Sequence, residues 1–172
     1  TNQLQAMSHS GKSGMSSLKI IRERNHMLKL NLFGENEAPK VLCLGAHSDD
    51  VEIGCGGTII RLLREVPNAQ FYWLVFSGKG NRAKEAYESA SSFLSGSKSR
   101  QIDLQDFKES YFPFIGAEIK DYFEKIKNEF VPDLIFTHYA SDAHQDHRLV
   151  SNLTWNTFRN HFILEYEIPK YS

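Results

Sequence analysis

The sequence has 172 residues, 41% hydrophobic and 24% charged, ordinary values for one soluble globular domain with a real core. Lys and Arg number 20 and Asp and Glu 21, so no strong field selects nucleic acid or an anionic membrane as partner. Cys43 and Cys55 are too few for a disulfide framework, no run of about 18 apolar residues offers a membrane span, and the start lacks the apolar stretch of a signal peptide. A reducing cytoplasm is the expected compartment.

Residues 1–17, TNQLQAMSHSGKSGMSS, are polar, Ser-rich and aperiodic. They read as a flexible tail ahead of a single domain over 18–172. KLNLFG (29–34) is compatible with an edge strand. KVLCLGA (40–46) is a continuous apolar run suited to a strand buried on both faces. GGTIIRLLREV (56–66) then has helical spacing and ends at Pro67. QFYWLVFS (70–77), rich in aromatic and β-branched residues, is a second buried strand. NRAKEAYESASSFL (81–94) reads as a helix with Asn81 as N-cap and Gly96 just past its end. SRQIDLQDF (99–107) suits a short strand. IGAEIKDYFEKIKNEF (115–130) is an amphipathic helix with Ile115, Ile119, Phe123, Ile126 and Phe130 on one stripe. PDLIFTHY (132–139) is another strand, HRLVSNLTWNTFRN (147–160) a helix, and FILEYEI (162–168) a late strand. The chain stops at EYEIPKYS while still reading as folded sequence, so a missing C-terminal segment is part of the expectation.

Strands alternating with helices at this spacing predict right-handed βαβ units: an α/β fold, Rossmann-like and doubly wound, with a mainly parallel sheet and helices on both faces. Sites in such sheets form at the carboxyl ends of strands. The polar clusters at 47–52, 77–82 and 138–147 all follow predicted strand ends, and three loops are expected to converge on one edge.

The chemistry is concentrated in AHSDDVEIGCGG (46–57) and HQDH (144–147). His47 and Asp50, three apart on the turn leaving a strand, can reach one point. Imidazole nitrogen and carboxylate oxygen together suit Zn²⁺ or another divalent ion. Asp49, between them, can reach an activated water without being a ligand. One histidine from the second cluster, His144 or His147, would complete three ligands and leave an open position, as catalytic zinc requires. Each cluster also has a plain reading, since Asp-Asp near a helix start is often a cap and HQDH alone describes a solvated loop. Gly54, Gly56 and Gly57 suit close packing of a helix start on the sheet and do not spell a dinucleotide fingerprint.

AHSDDVEIGCGGTI, followed by HQDHR, resembles the PIG-L/LmbE-like family of zinc-dependent N-deacetylases, whose signatures are A-H-P-D-D-x-E and H-x-D-H. Ser48 stands where proline is commonest, and FSGKGNR is a shorter form of the family's loop. NRAKEAYESASSFL is similar to its R-x-x-E helix. The resemblance implies zinc ligands His47, Asp50 and His147, with Asp49 as general base. It implies His144 at the oxyanion or leaving amine, Asp146 orienting His144 through its second ring nitrogen, and Arg82 gripping substrate hydroxyls. Asp106 is a substrate contact or a plain turn residue, Glu52 a motif member or a helix-start stabiliser, and His138 a packing residue at a strand end. The implied activity is removal of an acetyl group from an N-acetylated amino sugar or glycoconjugate, a small-molecule partner, and a homo-oligomer is compatible with it. A metal phosphoesterase and a noncatalytic Rossmann-like module binding a sugar nucleotide are the alternatives.

Overall fold

The computed structural model describes residue 33 and residues 38–80 and 82–169. The tail expected over 1–17, the edge strand expected at 29–34 and the Asn81 cap lie outside the described residues. The two apolar runs form β1 (Lys40–His47) and β2 (Gln70–Ser77), each buried at every position between its ends. A strand with no solvent face belongs in the middle of a sheet covered on both sides. They pair in parallel, Lys40 opposite Gln70 and His47 opposite Ser77.

The sheet has five strands in the order β3-β2-β1-β4-β5, and every ladder in it is parallel. β3 spans Ser99–Leu104, β4 Leu134–His138 and β5 Phe162–Tyr166. The helices are α1 (Asp50–Glu65), α2 (Ala83–Phe93), α3 (Gly116–Glu129) and α4 (Gln145–Thr157). Leu42, Leu44 and Ala46 of β1 share one core with Ile119, Phe123 and Ile126 of α3 and Val150 of α4. The opposite sheet face carries Trp73, whose ring meets Phe93 of α2 at 5.9 Å. The expected α/β architecture is therefore present. Among the described residues no helix is long and apolar enough to cross a membrane.

Most boundaries shift by one to three residues from the sequence reading, α4 for example running 145–157 instead of 147–160, and two shifts bear on the site. α1 begins at Asp50 rather than at residue 56, because Asp50 and Glu52 favour a helix start and the glycines do not interrupt it. Gly54 and Gly56 are there for close approach: a Cβ would sit 2.1 Å from the Tyr166 ring at the first and 2.5 Å from Phe93 at the second. Gly57 has nothing within 4 Å and carries no such demand. β3 ends at Leu104 instead of 107, because the chain then folds over the end of β2. There Gln105 N–H donates to Val75 O and Phe107 N–H to Phe76 O, and Asp106 bridges Ser77 in antiparallel sense.

The topology fixes where a site can form. The chain moves outward from β1 through β2 to β3, then crosses to place β4 on the other side of β1. The switch point lies between the carboxyl ends of β1 and β4, the position where such sheets open a crevice.

Candidate active site

His47 is the last residue of β1 and Asp50 the first of α1, so the turn between them carries both to the switch point. His147 arrives from the other side, in the first turn of α4, after the loop that leaves β4. His47 Nδ1 lies 3.2 Å from His147 Nε2 and 3.4 Å from Asp50 Oδ2, while His147 Nε2 lies 3.3 Å from Asp50 Oδ1. Bonds of about 2.0–2.1 Å to a tetrahedral zinc put adjacent donors roughly 3.3 Å apart. The three residues fit such an ion in spacing and in donor chemistry.

The far side of each ring reinforces this. His47 Nε2 faces the Asp146 carboxylate at 3.2 Å, and His147 Nδ1 lies 3.1 Å from Asp142 Oδ2, within ion-pair range though out of line for a hydrogen bond. A carboxylate on the outer nitrogen draws the ring proton outward and leaves the inner lone pair for a cation. Asp142 is absent from the residues singled out by sequence. Its only signal there is its place two residues before His144, in D-x-H-x-D-H.

The charges are strongly coupled. Burial alone would raise the Asp50 carboxyl, but contacts from His138, His147 and His47 outweigh it and hold Asp50 far below the usual carboxylate range. Burial would lower His47, yet Asp50, Asp146 and the charge of Glu109 raise it above its ordinary value. His138, fully buried, is pushed down by desolvation against the pull of Asp50. Asp49 sits at the α1 cap position, exposed, and its side chain makes no capping bond.

His144 caps α4: its Nδ1 accepts the Asp146 backbone N–H at 3.2 Å, which leaves Nε2 to carry the proton. Its ring meets His47 edge-on at 4.8 Å, and ring nitrogens of His47, His144 and His147 lie within 4.8 Å of one another. The orientation expected from the Asp146 side chain comes from its main chain instead. The carboxylate, wholly buried, accepts Ser110 N–H at 2.6 Å and Phe112 N–H at 3.2 Å besides facing His47. The reason is local: a helix start leaves N–H groups without intrahelical partners, so the cap takes the ring nitrogen, and the buried carboxylate collects the loop donors within reach.

A family model described as PIG-L, GlcNAc-PI de-N-acetylase, matches residues 42–158, more than half of the chain. The chain belongs to the PIG-L family. Among solved structures, the N,N'-diacetylchitobiose deacetylase of Pyrococcus horikoshii is 26% identical, with a TM-score of 0.56 over 72% of this chain and 50% of its own. A conserved protein of Thermus thermophilus is 20% identical, with a TM-score of 0.61 over 78% of this chain and 68% of its own. The zinc-inhibited form of teicoplanin deacetylase is 14% identical, with a TM-score of 0.58 over 74% of this chain and 67% of its own. The chain thus spans about half the length of the chitobiose deacetylase it matches.

The remaining residues of the PIG-L motifs are less central. Glu52 receives Ser89 Oγ from α2 at 2.8 Å, and its other oxygen is buried without a hydrogen-bond partner. Burial, helped by Asp49 and Asp50, raises its carboxyl. Arg82, at the α2 cap position, and Asp106, at its bridge to Ser77, are both exposed. The 77–82 loop leaves β2 at the same edge, where Ser77 pairs with His47, and the 106–114 segment, which the sequence did not point to, is brought to the centre as well. Its Ser110, at φ 65°, is held by Asp146 and by Gln145 Nε2, which donates to Ser110 O at 2.5 Å, and Phe112 lays its ring 6.0 Å from His47. No sequence signal announces that strap, since its partners lie about 35 residues away.

Proposed function

We propose that this chain is a metal-dependent N-deacetylase that hydrolyses the acetamide of an N-acetylated amino sugar or its conjugate. One observation carries the reading. Two imidazole nitrogens and the Asp50 carboxylate face one point at tetrahedral spacing, with the outer nitrogen of each ring facing its own carboxylate. Family membership and a 26% identical chitobiose deacetylase supply the substrate class.

A zinc or similar divalent ion bound by His47, Asp50 and His147 would supply Lewis acidity to the acetamide carbonyl and make a water more acidic. Asp49, beside the ligands and free of capping duty, would accept the proton of the attacking water and return it to the departing amine. His144 would offer its Nε2–H to the developing oxyanion, its tautomer fixed by the cap on Nδ1. Asp146 would hold His47 and the 106–114 strap together, keeping the wall of the site in place. Arg82 and Asp106 would meet sugar hydroxyls from the rim.

The test is an amine-release assay over a panel of N-acetylated sugars and conjugates, on protein stripped with a chelator and then resupplied with Zn²⁺. Release that disappears on stripping and returns with the metal supports the reading. Metal-replete protein that binds these sugars without releasing amine would overturn it in favour of a noncatalytic module.

A further inference from the structure

We infer that His138 is a positioning residue that holds two of the metal ligands, His47 and His147, at binding distance before an ion arrives. This rests on the proposed metal site and extends it to a side chain below it.

His138 ends β4 and is 0% exposed. The β1–β4 ladder runs from Val41↔Leu134 to Cys43↔Phe136 and there its register pairs stop, while both strands continue toward the site. Ala46, also 0% exposed, would be left with an unpaired N–H, which a buried backbone rarely tolerates. His138 Nε2 accepts that N–H at 3.0 Å, and Ala46 is the residue immediately before His47. The imidazole thus fixes the backbone from which the first ligand projects.

The same ring supports a second ligand, His147. Nε2 also lies 3.2 Å from Asp50 Oδ2, but with its lone pair on Ala46 it has no proton to give that carboxylate, which takes the His47 backbone N–H at 2.6 Å. The ring plane stacks on His147 at 3.9 Å and 13°, which limits how far that ligand can tilt. Tyr166 closes on the same nitrogen: its O–H donates to Leu44 O at 2.6 Å, and its oxygen stands 3.4 Å from His138 Nε2. Gly54 is what admits the Tyr166 ring, since a Cβ there would overlap it at 2.1 Å.

Asp50, His138 and His147 also form a group whose donor atoms lie close enough to share an ion, so His138 has to be distinguished from a ligand. Its Nε2 lone pair is committed to Ala46, and its Nδ1 is buried with no partner. A positioning role therefore demands an acceptor and a flat ring at this place, and no metal bond.

Two variants separate these demands, read by titration with Zn²⁺ or Co²⁺ alone alongside thermal midpoints of the metal-free proteins. His138→Phe keeps the ring and loses the acceptor, and is expected to weaken metal binding about 10- to 100-fold, as for other supports of metal ligands. His138→Gln restores an acceptor for Ala46 and is expected to recover much of that affinity, with the cobalt absorption bands unmoved. Equal wild-type affinity in both variants would overturn the inference, as would equal losses that simply track a fall in thermal midpoint. A shift of the cobalt bands in His138→Gln would make His138 a ligand and overturn it too. Should His138→Phe fail to fold, the His138→Gln affinity and bands decide alone. Failure of the wild-type protein to take up metal would instead strike the proposed site itself.

Discussion

Two carboxylates in this molecule are each met by three side chains, and they serve opposite ends. Asp103, on the edge strand β3, accepts Tyr72 O–H at 3.0 Å, Tyr122 O–H through a short contact, and Gln105 Nε2 at 2.5 Å. Each of those donors has its proton on the atom that faces the carboxylate, so Asp103 is satisfied as it stands. Asp50 is met by His47, His138 and His147, whose rings can present either a proton or a lone pair. His138 has already committed its nitrogen to Ala46, and the outer carboxylates draw the protons of the other two rings away. The surroundings of Asp103 complete a fold, whereas those of Asp50 call for a cation.

Replacing each carboxylate by its amide separates the two most clearly. Asp50→Asn should abolish high-affinity uptake of Zn²⁺ and with it amine release, the largest effect, seen by metal analysis and assay. Asp103→Asn should leave metal content unchanged and cost about 2 kcal/mol of stability in denaturant titrations, the scale of hydrogen bonds to a charged group. Equal metal loss in the two variants would erase the distinction. Next in size, Asp49→Asn should keep the ion yet lower turnover about 10²–10⁴-fold, because an amide cannot accept the water proton. His144→Ala should also keep the ion and lower turnover about 10²-fold, the cost of one oxyanion donor.

The smallest effect belongs to the Asp103 end and concerns alkaline pH. Burial and the charge of Asp103 push the Tyr72 phenol up, and burial with the Asp103 hydrogen bond does the same to Tyr122. Both keep their protons in the folded chain at a pH where an unfolded tyrosine, near pKa 10, loses them. Their contribution to stability is therefore complete below about pH 10 and is lost as the pH rises through the folded values. The Tyr72→Phe, Tyr122→Phe double variant should show a shallower fall in stability between about pH 9.5 and 11.5 than the wild type. A parent protein with flat stability over that range would contradict the role given to these phenols.

What can be read from sequence follows from range. Continuous apolar runs such as VLCLGA need only local chemistry to become buried strands, and the α3 stripe through Ile119, Phe123 and Ile126 is buried as its period requires. The proposed ligand set can be assembled from sequence because His47 and Asp50 are neighbours and H-x-D-H is a compact signature. The start of α1 is not, because glycines lower helix propensity, while Tyr166 and Phe93, which make Gly54 and Gly56 necessary, come from distant segments. The support beneath the site is hidden for the same reason. His138 reaches Ala46 across 92 residues and Asp146 reaches Ser110 across 36, and no period in the sequence encodes such contacts.

Everything proposed for this site depends on His47, Asp50 and His147 converging to hold one catalytic ion. The most direct measurement is the Zn²⁺ stoichiometry of the chelator-stripped chain and of His147→Ala by equilibrium titration, each checked for fold by circular dichroism. One tightly held ion per chain is expected, with high-affinity uptake absent in a folded His147→Ala. No uptake by the wild-type chain, or full stoichiometry in His147→Ala, would contradict it.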